Sequence, residues 1–136
     1  SHKQALASFV SKICCLQQGE WEELHTRTLD LDPPAAPYIG YQTWGESYQR
    51  GEFMSKMNRE LVNWDIDLEG ELPDHLIPAL RYLGRSDQPL PELIEVINPA
   101  VQRMISALRS ADPSNPYLDL FEAVQTLCKE IKKEAA

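Results

Sequence analysis

Apolar residues in this chain recur every three or four positions and almost nowhere alternate, the pattern of helices that each bury one face. No strand signal accompanies it. Ten prolines against six glycines punctuate the pattern, whereas an all-β chain of this length would need more glycine-bearing turns. The expected fold is therefore all-α. With 136 residues, the chain suits one domain spanning residues 1–136, a helical bundle of about six helices around a single core.

The stripes give approximate boundaries. Leu6, Phe9, Val10, Ile13 and Leu16 predict a first helix from about Lys3 to Gln18, with Gly19 as its stop, and Trp21 and Leu24 belong to a short second one. The prolines of 30–37 break any helix there. A long amphipathic helix from about Tyr48 to Trp64 carries Met54, Met57, Leu61 and Trp64, with Arg50, Glu52, Lys56 and Arg59 off that stripe. Pro78 requires a helix bearing Leu76, Leu80 and Leu83 to begin close before it, near Asp74. Ile94, Ile97, Val101, Met104, Ile105 and Leu108 form a further stripe, kinked or divided at Pro99. The closing helix runs from about Pro116 to Lys133, with Lys129, Lys132 and Lys133 suited to its dipole.

Charge narrows the class of partner. Thirteen Lys and Arg against 21 Asp and Glu give a net charge of −8, so no positive field gathers nucleic acid or an anionic membrane. Six acids, Glu60, Asp65, Asp67, Glu69, Glu71 and Asp74, lie between residues 60 and 74 with no Lys or Arg among them. A cationic partner is electrostatically favoured. No apolar run is long enough to span a bilayer, so direct membrane insertion is not expected, nor does a secretory signal open the chain. Ser1-His2 without an initiator Met reads as a cloning remnant, with natural N-terminal residues expected to be missing. Three cysteines, Cys14, Cys15 and Cys128, are too few and too badly spaced for a disulfide framework, which favours a reducing compartment. The vicinal pair suits either a redox role or, as the blander reading, buried free thiols.

Two constellations carry chemistry. In Glu71-Leu72-Pro73-Asp74-His75, two carboxylates and an imidazole fall within five residues. Such a set suits a metal, but no second ligand pair or metal-ligand spacing accompanies it, and no nucleophile sits beside an evident base. Neither a bound metal nor catalysis is therefore expected. The structural alternative has Asp74 capping a helix, Glu71 bracing the turn and His75 packing beneath it; recognition of a peptide or ligand is the third reading. The other constellation, 37–51, holds three tyrosines, Trp44 and three glycines, a composition that serves recognition surfaces and cores alike. Gly51, costly inside a helix, is expected to permit a close helix crossing or access to a groove.

The segments Tyr41-Gln42-Thr43-Trp44-Gly45-Glu46-Ser47-Tyr48-Gln49-Arg50-Gly51-Glu52-Phe53-Met54 and Glu71-Leu72-Pro73-Asp74-His75-Leu76-Ile77-Pro78 together resemble the NarJ branch of the NarJ/TorD superfamily, the assembly chaperones of molybdenum-dependent oxidoreductases. Gly45, Glu46, Arg50, Gly51 and Met54 match the first motif; Glu71, Pro73, Asp74, His75 and Leu76 match the second. The likeness extends from about Leu24 to the closing helix, although the chain is shorter than many relatives, which carry an additional N-terminal helix.

The resemblance implies an all-helical, non-enzymatic, cytoplasmic chaperone with no cofactor of its own. Its partner would be the N-terminal segment of the catalytic subunit, held until the molybdenum cofactor is inserted and the complex assembles. The implied peptide-binding residues are Tyr41, Trp44, Glu46, Tyr48, Arg50, Met54, Glu71, Asp74 and His75. In that picture Tyr41, Trp44, Tyr48 and Met54 floor a groove and the acids of 60–74 form its rim, complementary to a cationic, partly apolar peptide. Two other classes remain open: a small metal-binding protein or metal-dependent enzyme using Glu71, Asp74 and His75, and a generic helical adaptor.

Overall fold

The computed structural model describes residues 1–30 and 33–135. Among them are seven α-helices and no strand: α1 (His2–Cys14), α2 (Gln18–His25), α3 (Ile39–Trp44), α4 (Tyr48–Asn63), α5 (Leu76–Arg85), α6 (Pro91–Ala111) and α7 (Tyr117–Ala135). A five-residue π-helical turn, Thr26–Asp30, continues from α2. Leu31 and Asp32, part of the expected break at 30–37, lie outside the described residues. The fold is all-α, and no described helix is long and apolar enough to cross a membrane.

The residues group into two compact units, Ser1–Ala36 with Val101–Ala136, and Pro37–Ala100. In the first, Leu24, Met104, Ile105, Leu108, Phe121 and Cys128 are buried. Buried Asn115 donates to Thr28 Oγ1 at 2.9 Å, and its Oδ1 accepts the Tyr117 amide at 2.9 Å, starting α7 where the backbone has no helical partner to offer. α1 lies on α7 through Asp119, which accepts from Ser8 Oγ at 2.8 Å and Lys12 Nζ at 2.7 Å, and through Phe9, whose ring centroid is 5.1 Å from that of Tyr117. Although the α1 stripe has core spacing, none of it is buried, and Leu6 and Val10 are exposed. A helix docked along one flank has only that flank covered.

Two sequence expectations fail here. Gly19 does not stop α1: Cys15 caps that helix, and Gly19 enters the first turn of α2, started by Glu20 accepting the Gln17 amide at 3.2 Å. Cys14 and Cys15 are exposed rather than buried, because α1 buries no residue; only Cys128 is enclosed.

In the second unit, the core of α4 is Phe53, Met57 and Leu61, four residues apart, with Met54 and Trp64 only half-buried. Spacing gives the period of a stripe, and the phase between apolar neighbours such as Phe53 and Met54 is decided by where the other helices lie. Tyr82 of α5, fully enclosed, donates to Glu60 Oε2 at 3.1 Å and accepts the Leu90 amide at 2.8 Å, just ahead of α6. Pro78 stands in the first turn of α5, where a missing amide hydrogen costs no helical bond. Pro99 lies inside α6, which remains one helix; its residues 91–100 belong to this unit and 101–111 to the other.

Candidate functional site

The two chemically dense segments meet within residues 37–100. Ile39 donates its amide to the Asp74 carbonyl and Leu76 to the Pro37 carbonyl, both at 2.8 Å, so Tyr38 and His75 form an isolated antiparallel bridge. This pairing sets α3 beside the start of α5. Arg50, from the first turn of α4, then reaches Asp74, donating from Nε to Oδ2 at 2.8 Å and from Nη2 to Oδ1 at 3.3 Å. The Asp74 side chain is fully buried and that of Arg50 is 12% exposed. A buried carboxylate is stable only with such a partner.

Aromatic rings enclose the cation. Arg50 Cζ lies 5.6 Å from the centroid of Tyr38 and 5.5 Å from that of Tyr41, within the range in which ring faces attract a guanidinium. Tyr38 donates its hydroxyl to Glu71 Oε2 at 3.0 Å, and its ring meets His75 edge-on at 5.1 Å. Burial first, and then the Glu71 hydrogen bond and charge, push the Tyr38 hydroxyl above its ordinary pKa of 10.0, so it stays a neutral donor.

His75, not Asp74, caps α5. Its Nδ1 accepts the Ile77 amide at 3.0 Å, which leaves Nε2 to carry the proton of the neutral ring, 3.9 Å from Glu71 Oε2. Asp74 is drawn one residue outside the helix by Arg50. Both Asp74 oxygens and His75 Nδ1 are thus engaged, and no group of three His, Cys, Asp or Glu side chains suited to a metal occurs among the described residues.

Glycine matters here at a position other than the expected one. A Cβ on Gly40 would lie 2.8 Å from Asp74 Oδ2, 3.1 Å from Arg50 Cγ and 3.3 Å from Phe53, so α3 approaches the ion pair only because residue 40 has no side chain. Gly51 is exposed, and a Cβ there meets nothing within 4 Å; it permits no close crossing.

The structure thus brings Tyr41, Arg50, Glu71, Asp74 and His75 into one network through Tyr38. Arg50 belongs to this buried side, not to the solvent face its stripe position suggested. Trp44 is half-buried against Phe53, ring centroids 5.2 Å apart, and Met54 is half-buried on α4. Tyr48 is 81% exposed and Glu46 is exposed, so neither is part of the network. Tyr38, Gly40 and Phe53 were missed as site residues. The apolar stripes predict no helix over 39–44, so the cost of a helical glycine gives no signal at Gly40.

The six acids of 60–74 divide by environment. Asp74 is buried by Arg50, while Glu60 and Glu71 are half-buried acceptors of tyrosine hydroxyls. Asp65, Asp67 and Glu69 are exposed. Asp65 (φ 54°), Glu69 (φ 53°) and Gly70 (φ 84°) all adopt left-handed backbone. The Glu69 amide donates to Asp67 Oδ1 at 2.9 Å, and Arg85 donates to the carbonyls of Trp64 and Asp65. Arg81 stands 3.2 Å from Glu69, so the rim is partly neutralised. Residues 37–100 nonetheless hold eleven of the 21 acids and five of the 13 bases, hence six of the eight net negative charges. Tyr41 of the network is itself exposed, and exposed Tyr48, Leu72 and Ile77 lie close to its members in sequence.

No protein-family model, curated protein or solved structure matches this chain.

Proposed function

We propose that residues 37–100 carry a peptide-binding surface, and that the protein is a non-enzymatic assembly chaperone of the NarJ/TorD kind. Its client is the N-terminal segment of the catalytic subunit of a molybdenum-dependent oxidoreductase, bound in the cytoplasm until the molybdenum cofactor is inserted. The chaperone holds no cofactor itself. The observation that carries this reading is the Arg50–Asp74 pair, which locks together the two segments on which the resemblance rests. Exposed Tyr41, whose ring meets Arg50, offers apolar anchorage together with exposed Tyr48, Leu72 and Ile77 nearby in sequence, and the negative charge of the same unit favours a cationic peptide.

Titration calorimetry with synthetic peptides from the N-termini of such catalytic subunits tests it. Affinity is expected to fall but persist between 0.1 M and 1 M salt, as the Debye length shrinks from about 10 Å to about 3 Å while apolar burial is unaffected. Neutralising Asp65, Asp67 and Glu69 together flattens that dependence, and Tyr41→Ala weakens binding at every salt concentration. Failure of any such peptide to bind overturns the proposal.

A further inference from the structure

Cys14 and Cys15 adjoin one another at the C-terminal end of α1, and both are exposed. The peptide between them is trans, which sets their Cα atoms about 3.8 Å apart. Ordinary disulfides span roughly 4.4–6.8 Å between Cα atoms, so direct closure of an S–S bond is poorly matched to neighbouring residues. A bridging atom removes that mismatch, because it holds the two sulfurs further apart than a direct bond does.

The coordination number of the bridging atom then decides the ligand. Structural zinc takes four ligands, and no third His, Cys, Asp or Glu side chain joins the pair in a metal-binding group among the described residues. Trivalent arsenic carrying one carbon substituent needs only two thiolates, the number that the adjacent Cys14 and Cys15 supply. Adjustment of the last turn is cheap, since α1 buries no residue and Cys15 already lies beyond its final helical position. The remaining thiol does not compete: Cys128 is buried, and burial pushes its pKa up to about 11.

We propose that Cys14 and Cys15 form a vicinal-dithiol site for monosubstituted trivalent arsenicals. With an arsenoxide, R–As=O, two As–S bonds form and the arsenic–oxygen bond breaks. The oxygen leaves as water with the two thiol protons, and arsenic stays trivalent, so no oxidant or reductant takes part. The site lies in the unit of α1 and α7 and does not depend on the peptide-binding reading.

Phenylarsine oxide and native intact-mass measurement on the folded chain, in a phosphine reductant, test this. One phenylarsenic bridge per chain is expected, retained against excess monothiol and released by a small dithiol. Cys14→Ser and Cys15→Ser are each expected to lose the monothiol-resistant adduct with unchanged melting temperature, whereas Cys128→Ser keeps it. Absence of a bridge in the native chain, or its persistence in Cys14→Ser, overturns the proposal.

Discussion

Arg50 and Asp74, 24 residues apart, form a two-point ion pair with the carboxylate wholly enclosed and the guanidinium held beside two tyrosine rings. Removing one partner leaves the other charged in a site built for a pair. Asp74→Ala is expected to cost about 3–5 kcal/mol in urea unfolding. An Arg50→Met, Asp74→Leu double variant, which strands no charge, should lose less than Asp74→Ala alone. A single-variant loss of only about 0–1 kcal/mol, as for an exposed pair, would show the site to be solvated.

Gly40 and Gly51 should respond to alanine with opposite signs. In Gly40→Ala the new methyl meets the Asp74 carboxylate, at a cost of about 1–3 kcal/mol. Gly51→Ala meets nothing and gains helix propensity, stabilising by about 1 kcal/mol. Thermal melts of the two variants decide this, and equal shifts would refute the close approach of α3.

His75→Ala removes the acceptor of the Ile77 amide and should destabilise by about 1 kcal/mol, the ordinary loss of a helix cap. His75→Asn, which supplies another side-chain acceptor, is expected to recover most of it. If Asn recovers nothing, packing of the ring against Tyr38 outweighs the cap. Chemical denaturation of both variants measures the difference.

Acid should loosen α1 through Asp119. Burial is the largest single influence on that carboxyl and pushes it up; hydrogen bonds from Lys12 and Ser8, with the Lys12 charge, outweigh it and hold the group below its ordinary 3.8. A depressed folded value stabilises the native state above 3.8, and that contribution is lost as pH falls from there through the folded value. The protection of α1 amides, the slowing of their exchange relative to the intrinsic rate at each pH, is expected to fall over this interval in the native chain. In Asp119→Asn the protection should be lower above that interval and flatter with pH.

Element type was legible because period alone distinguishes helix from strand, and the helix start just before Pro78 follows from proline chemistry. What period does not carry is phase. Phe53 and Met54 are equally apolar, and only the surrounding helices select Phe53. The same holds for Asp74, a good cap by composition, which a distant arginine claims while His75 does the capping. Two segments were recognisable as chemically dense, but their meeting depends on a backbone bridge and on the missing side chain of Gly40. Neither leaves a periodic trace.

The division of the chain between its two units also orders its assembly during synthesis. Pro37–Ala100 is one uninterrupted stretch, so every partner it needs has emerged once residue 100 has left the ribosome. The other unit joins Ser1–Ala36 to Val101–Ala136, and α1, which buries no residue of its own, waits for Asp119 and Tyr117 of α7. The first helix translated is thus among the last to find its place, and a nascent chain that has emerged from the ribosome only as far as residue 100 would display a folded 37–100 segment with an undocked leading helix.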